Sequence, residues 1–310
     1  MTGDPARRTG GNLYDRRMVA AMRREGLDVT IVVLGDRIDA ARQLAELRVP
    51  VVIVDTIAAA LAAPQLDGLR RRGAGVIALA HMAQGAVVLA RRADTVIVVS
   101  RALGRDLVAD GVDRRRIAVI SPGRERVVAT RRAARAHVVL CVANWTPAKG
   151  IHTLVAAVAG LPGVSLELVG DAPDPAYAAR VRRDIVTRGL ASRVRIRGPL
   201  GHGALMRLYA AATIFALPST REGYPIVLAE ALAHGLPIVG SDIPGVREVS
   251  GGAAMLVAPG RVRPLTMAIE RLLRDDRIYR ERARRSVNRA RELPTWADSE
   301  ARFVRAVRSP

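Results

Sequence analysis

Short apolar runs and amphipathic stretches take turns along the whole chain. Residues 28–34 (DVTIVVL), 51–54, 76–80, 95–99 and 117–120 are compact, β-branched runs of strand length. Between them, residues 13–25, 38–47 and 101–109 carry apolar side chains at helical spacing. The second half continues with a strand at 138–143, a helix at 151–159 and a strand at 213–217, and it alternates to about residue 257. Strands that are apolar throughout and interleaved with helices predict parallel sheets covered on both faces. The expected fold class is therefore α/β, with doubly wound sheets. Helices near 262–273 and 278–290 follow, with Asp275 and Asp276 inside the helical pattern, and residues 296–307 read as a last helix after Pro294.

Length and composition refine this picture. The chain has 310 residues, enough for two domains of ordinary size, and the Pro/Gly/Arg-rich stretch 121–135 reads as the linker between them. Half of the residues are hydrophobic but only 3% are aromatic, so aliphatic and alanine packing must build both cores. The single cysteine, Cys141, lies in a predicted strand and reads as a core residue, which excludes a disulfide framework and fits a reducing cytoplasm. No leader pattern heads the sequence, and the longest apolar run, 49–66, is broken by Pro50, Asp55 and Pro64. A soluble cytoplasmic protein is the expectation.

The formal net charge is +20. Charge alone admits nucleic acid. However, the arginines are scattered over every predicted element without interleaved aromatics, so no specific nucleic-acid binding is expected. Peripheral contact with an anionic membrane, at its inner face, is the better use of such charge. A solvated compositional bias is the bland alternative.

Candidate chemistry concentrates in PSTREGYPIVLAE, residues 218–230. Glu222 lies in a loop after a buried strand, and Glu230 lies about one and a half turns into the helix that follows. Pro225 is expected at the first helical position, and His234-Gly235 closes the helix. Ligands bind at that strand edge in open α/β sheets. The Ile226 and Val227 amides at the helix start suit a phosphate, and Gly223 permits close backbone approach. A carboxylate there suits sugar or ribose hydroxyls, or it is only a partner of the helix dipole. Of 49 Lys and Arg residues one is a lysine, Lys149, in the loop between the strand at 138–143 and the helix at 151–159. A compact ammonium suits a diphosphate. Five histidines without ligand spacing, and no D-x-D, give no metal site and no cofactor.

The E-x7-E spacing of Glu222 and Glu230, with residues 194–219 and 230–260 around it, resembles glycosyltransferase family 4, retaining enzymes of the GT-B type. The resemblance is strong over residues 141–273 and weaker before. It implies two Rossmann-like domains facing across a cleft, at 1–125 and 126–294, with 295–310 returning to the first. It also implies a retaining transfer of a sugar from a nucleotide-sugar donor to an acceptor that is not identified. Lys149 then contacts the diphosphate, Glu230 the ribose, Glu222 the sugar, and Leu200 the nucleobase; Tyr224 joins the donor site. His81, after the strand at 76–80, is placed near the sugar as a second catalytic residue, and Glu248 near the donor. Asn144 stands where many relatives carry arginine, so one cation of the usual clamp is replaced by an amide. Thr9–Asn12 resembles the family's glycine loop, with Gly11 at the donor. That loop normally follows an apolar strand, and MTGDPARR is no such strand. The expectation is a missing first strand, through a misassigned start. The alternative function is a truncated, catalytically impaired homologue acting as a binding or partner protein.

Overall fold

The computed structural model of the chain describes residues 9–126 and 137–308. They form two compact units, one running to Gly123 and resuming at Pro294, the other from Arg124 to Leu293. Most of the expected linker lies outside the described residues.

In the first unit, Thr9 caps α1 (Gly10–Arg24), its hydroxyl accepting the Asn12 N–H at 3.0 Å. Gly10 and Gly11 are therefore the first turn of a helix and not a glycine loop. Asp36 caps α2 (Arg37–Glu46) in the same way. Then come β1 (Val51–Asp55), the short helices α3 (Ala59–Ala62) and α4 (Leu66–Arg71), and β2 (Gly75–Ala80). α5 (Ala86–Ala90), β3 (Thr95–Val98), α6 (Arg101–Ala109) and β4 (Ile117–Val119) complete the winding. The sheet order is β1-β2-β3-β4, all parallel. The last helix of the chain, Trp296–Arg308, packs on α1 in this unit. The Tyr14 and Phe303 rings meet edge to face at 6.0 Å, and Arg24 reaches Glu300 at 2.6 Å.

Residues 28–34 form no strand, against expectation. Their composition favours extended backbone, but a strand is stabilised by a neighbour, and no described strand pairs with them. Ile31 and Val33 remain 43% and 41% exposed. A trough of about 550 Å³, lined by this segment, β1, Met18, Met22 and Phe303, marks the gap.

The second unit opens with β5 (Val138–Val142), α7 (Ile151–Ala159), β6 (Ser165–Val169), α8 (Pro175–Thr187) and β7 (Val194–Ile196). It continues with α9 (His202–Ala211), β8 (Ile214–Leu217), α10 (Ile226–Ala233), β9 (Ile238–Ser241), α11 (Pro244–Ser250) and β10 (Met255–Val257). Helices α12 (Val262–Arg274) and α13 (Asp276–Glu292) close it, and Trp296–Arg308 is α14. Asp275 breaks the expected continuous pattern by capping α13, accepting the Ile278 N–H at 2.9 Å. The six parallel strands run β10-β9-β8-β5-β6-β7. Winding proceeds from β5 through β7 in one direction, then restarts at β8 and proceeds the other way. Alternate residues of β5 supply two cores. Val139 and Cys141 face α7, α8 and α12, while Leu140 and Val142 face α9, α10 and α11. Burial pushes the Cys141 thiol up to about 12, as befits an inert core residue.

Candidate active site

The reversal of winding leaves a crevice beyond the C-terminal ends of β5 and β8, where open α/β sheets bind ligands. Two loops rise there. After β5, residues 143–150 pass through a 3₁₀ turn at Pro147–Lys149 and reach Gly150 in the left-handed region, φ +63°. A Cβ at Gly150 would overlap the carbonyl oxygen of Pro218, so only glycine allows the two loops to touch. The Thr220 N–H then donates to the Ala148 carbonyl at 2.8 Å, fastening the second loop to the first.

This fastening brings together two residues 73 positions apart. Lys149 Nζ donates to both carboxylate oxygens of Glu222, each at 2.8 Å. The Glu222 side chain is 8% exposed and the ammonium 28%, so the carboxylate is the buried partner. Behind it, the start of α11 packs on the loop backbone; a Cβ at Gly245 would overlap the Glu222 carbonyl oxygen.

Pro225 is the N-cap of α10, one residue before its expected place, and its carbonyl accepts from Leu228 and Ala229. The Ile226 and Val227 amides lead the helix as first-turn donors. Gly235, at φ +66°, closes α10 as expected. Glu230 reaches the Tyr209 hydroxyl at 2.9 Å, and that hydroxyl lies 3.0 Å from the Val227 carbonyl. Burial pushes the Glu230 carboxyl up to about 7, against the opposing hydrogen bond from Tyr209, with Glu125 adding to the rise. His234 stacks on Tyr209 at 5.1 Å.

Other expected residues take different places. Asn144 sits in the first loop, but its Oδ1 accepts from the Asp171 N–H at 3.2 Å. Tyr224 packs its ring against the core, where its hydroxyl is buried with no hydrogen-bond partner among the described residues. Leu200 is half-buried between β7 and α9. Glu248 lies in α11, where Arg289 donates to its carbonyl oxygen at 2.7 Å; Arg247 pairs with Asp242 instead.

In the first unit, His81 directly follows β2, Asp55 ends β1, and Asp15 projects from α1. His81 Nε2 lies 2.9 Å from Asp15 Oδ1 and 4.0 Å from Asp55 Oδ2. His81 Nε2 is thus engaged by Asp15 within the first unit. Burial pulls the imidazole down, but the hydrogen bond and charge of Asp15 and the charge of Asp55 override it, and the net shift is upward. Gly11 packs against the His81 ring, 3.7 Å from where its Cβ would be.

Asp15, Asp55 and Tyr209 escaped the sequence reading. Asp55 had a signal, because it ends one apolar strand as His81 follows the next, and the parallel register puts both at one sheet edge. Asp15 and Tyr209 had none.

Residues 136–275 match the model of the family described as Glycosyl transferases group 1. Among curated relatives, lipopolysaccharide core biosynthesis glycosyltransferase LpsE of Rhizobium meliloti (strain 1021) is 33% identical over 181 residues, 56% of this chain and 52% of that protein. D-inositol 3-phosphate glycosyltransferase of Mycobacterium tuberculosis (strain F11) is 33% identical over 182 residues, 53% of this chain and 37% of that protein. The chain thus spans about half the length of these relatives or less. In fold it is similar to Anabaena Alr3699/HepE in complex with UDP and glucose, at a TM-score of 0.82 and 19% identity over 100% of this chain and 98% of that one. It is equally similar to sucrose-phosphate synthase from Thermosynechococcus elongatus, at 0.81 and 22% over 99% and 96%. The fold is GT-B.

Proposed function

We propose that this homologue of group 1 glycosyltransferases moves a sugar from a nucleoside-diphosphate-sugar to an acceptor hydroxyl, with retention at the anomeric carbon. The observation that carries the reading is the Lys149–Glu222 pair, held at the reversal of winding beside the start of α10. An ammonium has three donors, so Lys149 can turn toward a diphosphate while Glu222 receives sugar hydroxyls. The Ile226 and Val227 amides share the diphosphate charge, Glu230 accepts from the ribose, and the backbone around Leu200 and Gly223 borders the nucleotide. The bond from the anomeric carbon to the diphosphate oxygen breaks as the bond to the acceptor oxygen forms on the same face. The acceptor proton passes to the leaving phosphate, so no side-chain base is required. Because protein donors stabilise the leaving charge, donor binding in this reading needs no metal.

UDP-glucose is the first donor to test, since the Anabaena protein holds UDP and glucose. Isothermal titration should show saturable binding of one of the UDP, GDP or ADP sugars, insensitive to chelator and weakened in Lys149→Ala and Glu230→Ala. Unchanged nucleotide affinity in both variants would remove this site assignment. A product of opposite anomeric configuration would remove the retaining mechanism alone.

A further inference from the structure

With the donor site proposed above as premise, we infer that Tyr209 is a positioning residue for the nucleotide. Its one hydroxyl hydrogen turns from the Val227 carbonyl to Glu230 as the nucleotide binds, and a proton leaves the site.

Val227 and Glu230 stand three residues apart on α10 and so share one face of that helix. Tyr209 reaches this face from α9, its hydroxyl 2.9 Å from Glu230 Oε2 and 3.0 Å from the Val227 carbonyl oxygen. The ring is fully buried, stacked on His234 at 5.1 Å and set against Phe215 at 5.8 Å. Ring and oxygen are held in place, and the hydroxyl hydrogen is what can turn. A phenol carries one hydrogen, and here two acceptors stand within its reach. Burial and the neighbouring Glu230 charge push the Tyr209 hydroxyl well above its ordinary value, so that hydrogen stays on the phenol.

Counting hydrogens leaves two arrangements. With Glu230 protonated, its O–H donates to the Tyr209 oxygen and Tyr209 donates to the Val227 carbonyl. With Glu230 ionised, Tyr209 donates to Oε2, and Val227 keeps the backbone bond that a carbonyl inside a helix accepts. Both arrangements are hydrogen-bonded, and with the carboxyl raised to about 7 both are populated near neutral pH. Tyr209 favours the ionised form, against burial and the charge of Glu125. Among the described residues no cation pairs with this carboxylate. Lys149 is held by Glu222, Arg247 by Asp242, and Arg289 by the carbonyls of Glu248 and Val249. Cys141 acts on the Tyr209 hydroxyl but its thiol is neutral, and His234 Nδ1 lies 2.8 Å from the Glu230 main-chain carbonyl oxygen. Ribose hydroxyls donate, so a bound nucleotide selects the ionised form. The carboxyl O–H bond breaks, its proton passes to solvent, and Tyr209 turns to hold Oε2 while Oε1 is left to the ribose.

Binding of UDP, and of GDP and ADP in parallel, should be measured by titration calorimetry in two buffers of different ionisation enthalpy, with circular dichroism to confirm folding. At pH 7 the wild type should release about half a proton more per nucleotide than Glu230→Gln, because about half of Glu230 is protonated there. Tyr209→Phe keeps the ring and removes the hydroxyl, which should raise the Glu230 value by about one unit or more. Its affinity should then be weaker than wild type by about fivefold or more at pH 7, with the gap narrowing toward about pH 9, and its proton release should approach about one. The ratio of the two affinities cancels the titration of the phosphate itself. Tyr209→Phe weakening binding equally at both pH values, or not at all, would overturn the proposal. So would a wild type that releases no more protons than Glu230→Gln, a result that stands even where Tyr209→Phe does not fold. Either result leaves the donor site in place, whereas folded wild type that binds none of the three nucleotides removes the donor site and Tyr209's role together.

Discussion

The two units are built from the same kind of strand and differ in how their windings turn. In the second unit the direction reverses between β5 and β8, and the crevice at that reversal holds Lys149 against Glu222. In the first unit each described strand is added beside the one before it, with no reversal. Its C-terminal sheet edge gathers Asp15, Asp55 and His81, and no described strand pairs with its 28–34 segment. Sheet topology brings the candidate donor residues together in one unit, whereas the sheet edge of the other gathers a buried Asp–His–Asp cluster. The family match at residues 136–275 falls on the unit with the reversal.

The strongest way to break this contrast is Gly150→Val. The side chain would meet the Pro218 carbonyl from a left-handed backbone, so urea denaturation should show a loss of about 3 kcal/mol or more. A loss below about 1 kcal/mol would mean that the two loops do not depend on their contact. Next is Lys149→Ala, which strands a carboxylate that is 8% exposed and removes the proposed diphosphate cation. Nucleotide-sugar affinity should fall about 10- to 100-fold by titration calorimetry, with stability lowered by about 1–3 kcal/mol.

A third prediction uses pH. The Glu230 carboxyl has its folded value raised from 4.5 to about 7. Its contribution to stability is full below the unfolded value and is lost as pH rises through about 7. Ribose hydroxyls donate to the ionised form, so donor affinity should move oppositely, rising up to about tenfold between pH 6 and pH 8. Glu230→Gln should flatten that profile; a wild-type profile already flat would detach Glu230 from the ribose. The smallest effect belongs to the first unit. Ile31→Ser, at a position 43% exposed and paired with no described strand, should change stability by less than about 0.5 kcal/mol. A larger loss would show that the 28–34 segment is packed as a strand after all.

Most elements of both units were legible because each strand is a short apolar run and each helix keeps its period. The failures have identifiable causes. At 28–34 local preference was right, but pairing depends on a neighbour that no local pattern can supply. At Asp275 a capping aspartate looked like one more helical residue, because a cap differs from a helix interior only in backbone angles. As candidates, Glu222 and Lys149 stood out by loop position and Glu230 by its place in the following helix, but the Lys149–Glu222 pairing did not, since its 73-residue separation is closed only by sheet order. Tyr209 and Asp15 come from helices without a motif, and only packing shows what they touch.

Lys149 has a further consequence, because it is the chain's single lysine. An acylating ester at mildly alkaline pH has one side-chain amine to modify, and that amine is held by Glu222 at 2.8 Å. The reaction rate at this nitrogen, followed by intact-protein mass, becomes a direct reporter of the crevice. A donor that covers the ammonium slows the reaction, while Glu222→Gln frees the amine and speeds it. Scarcity of lysine thus gives this site a chemical address that an arginine in its place would not provide.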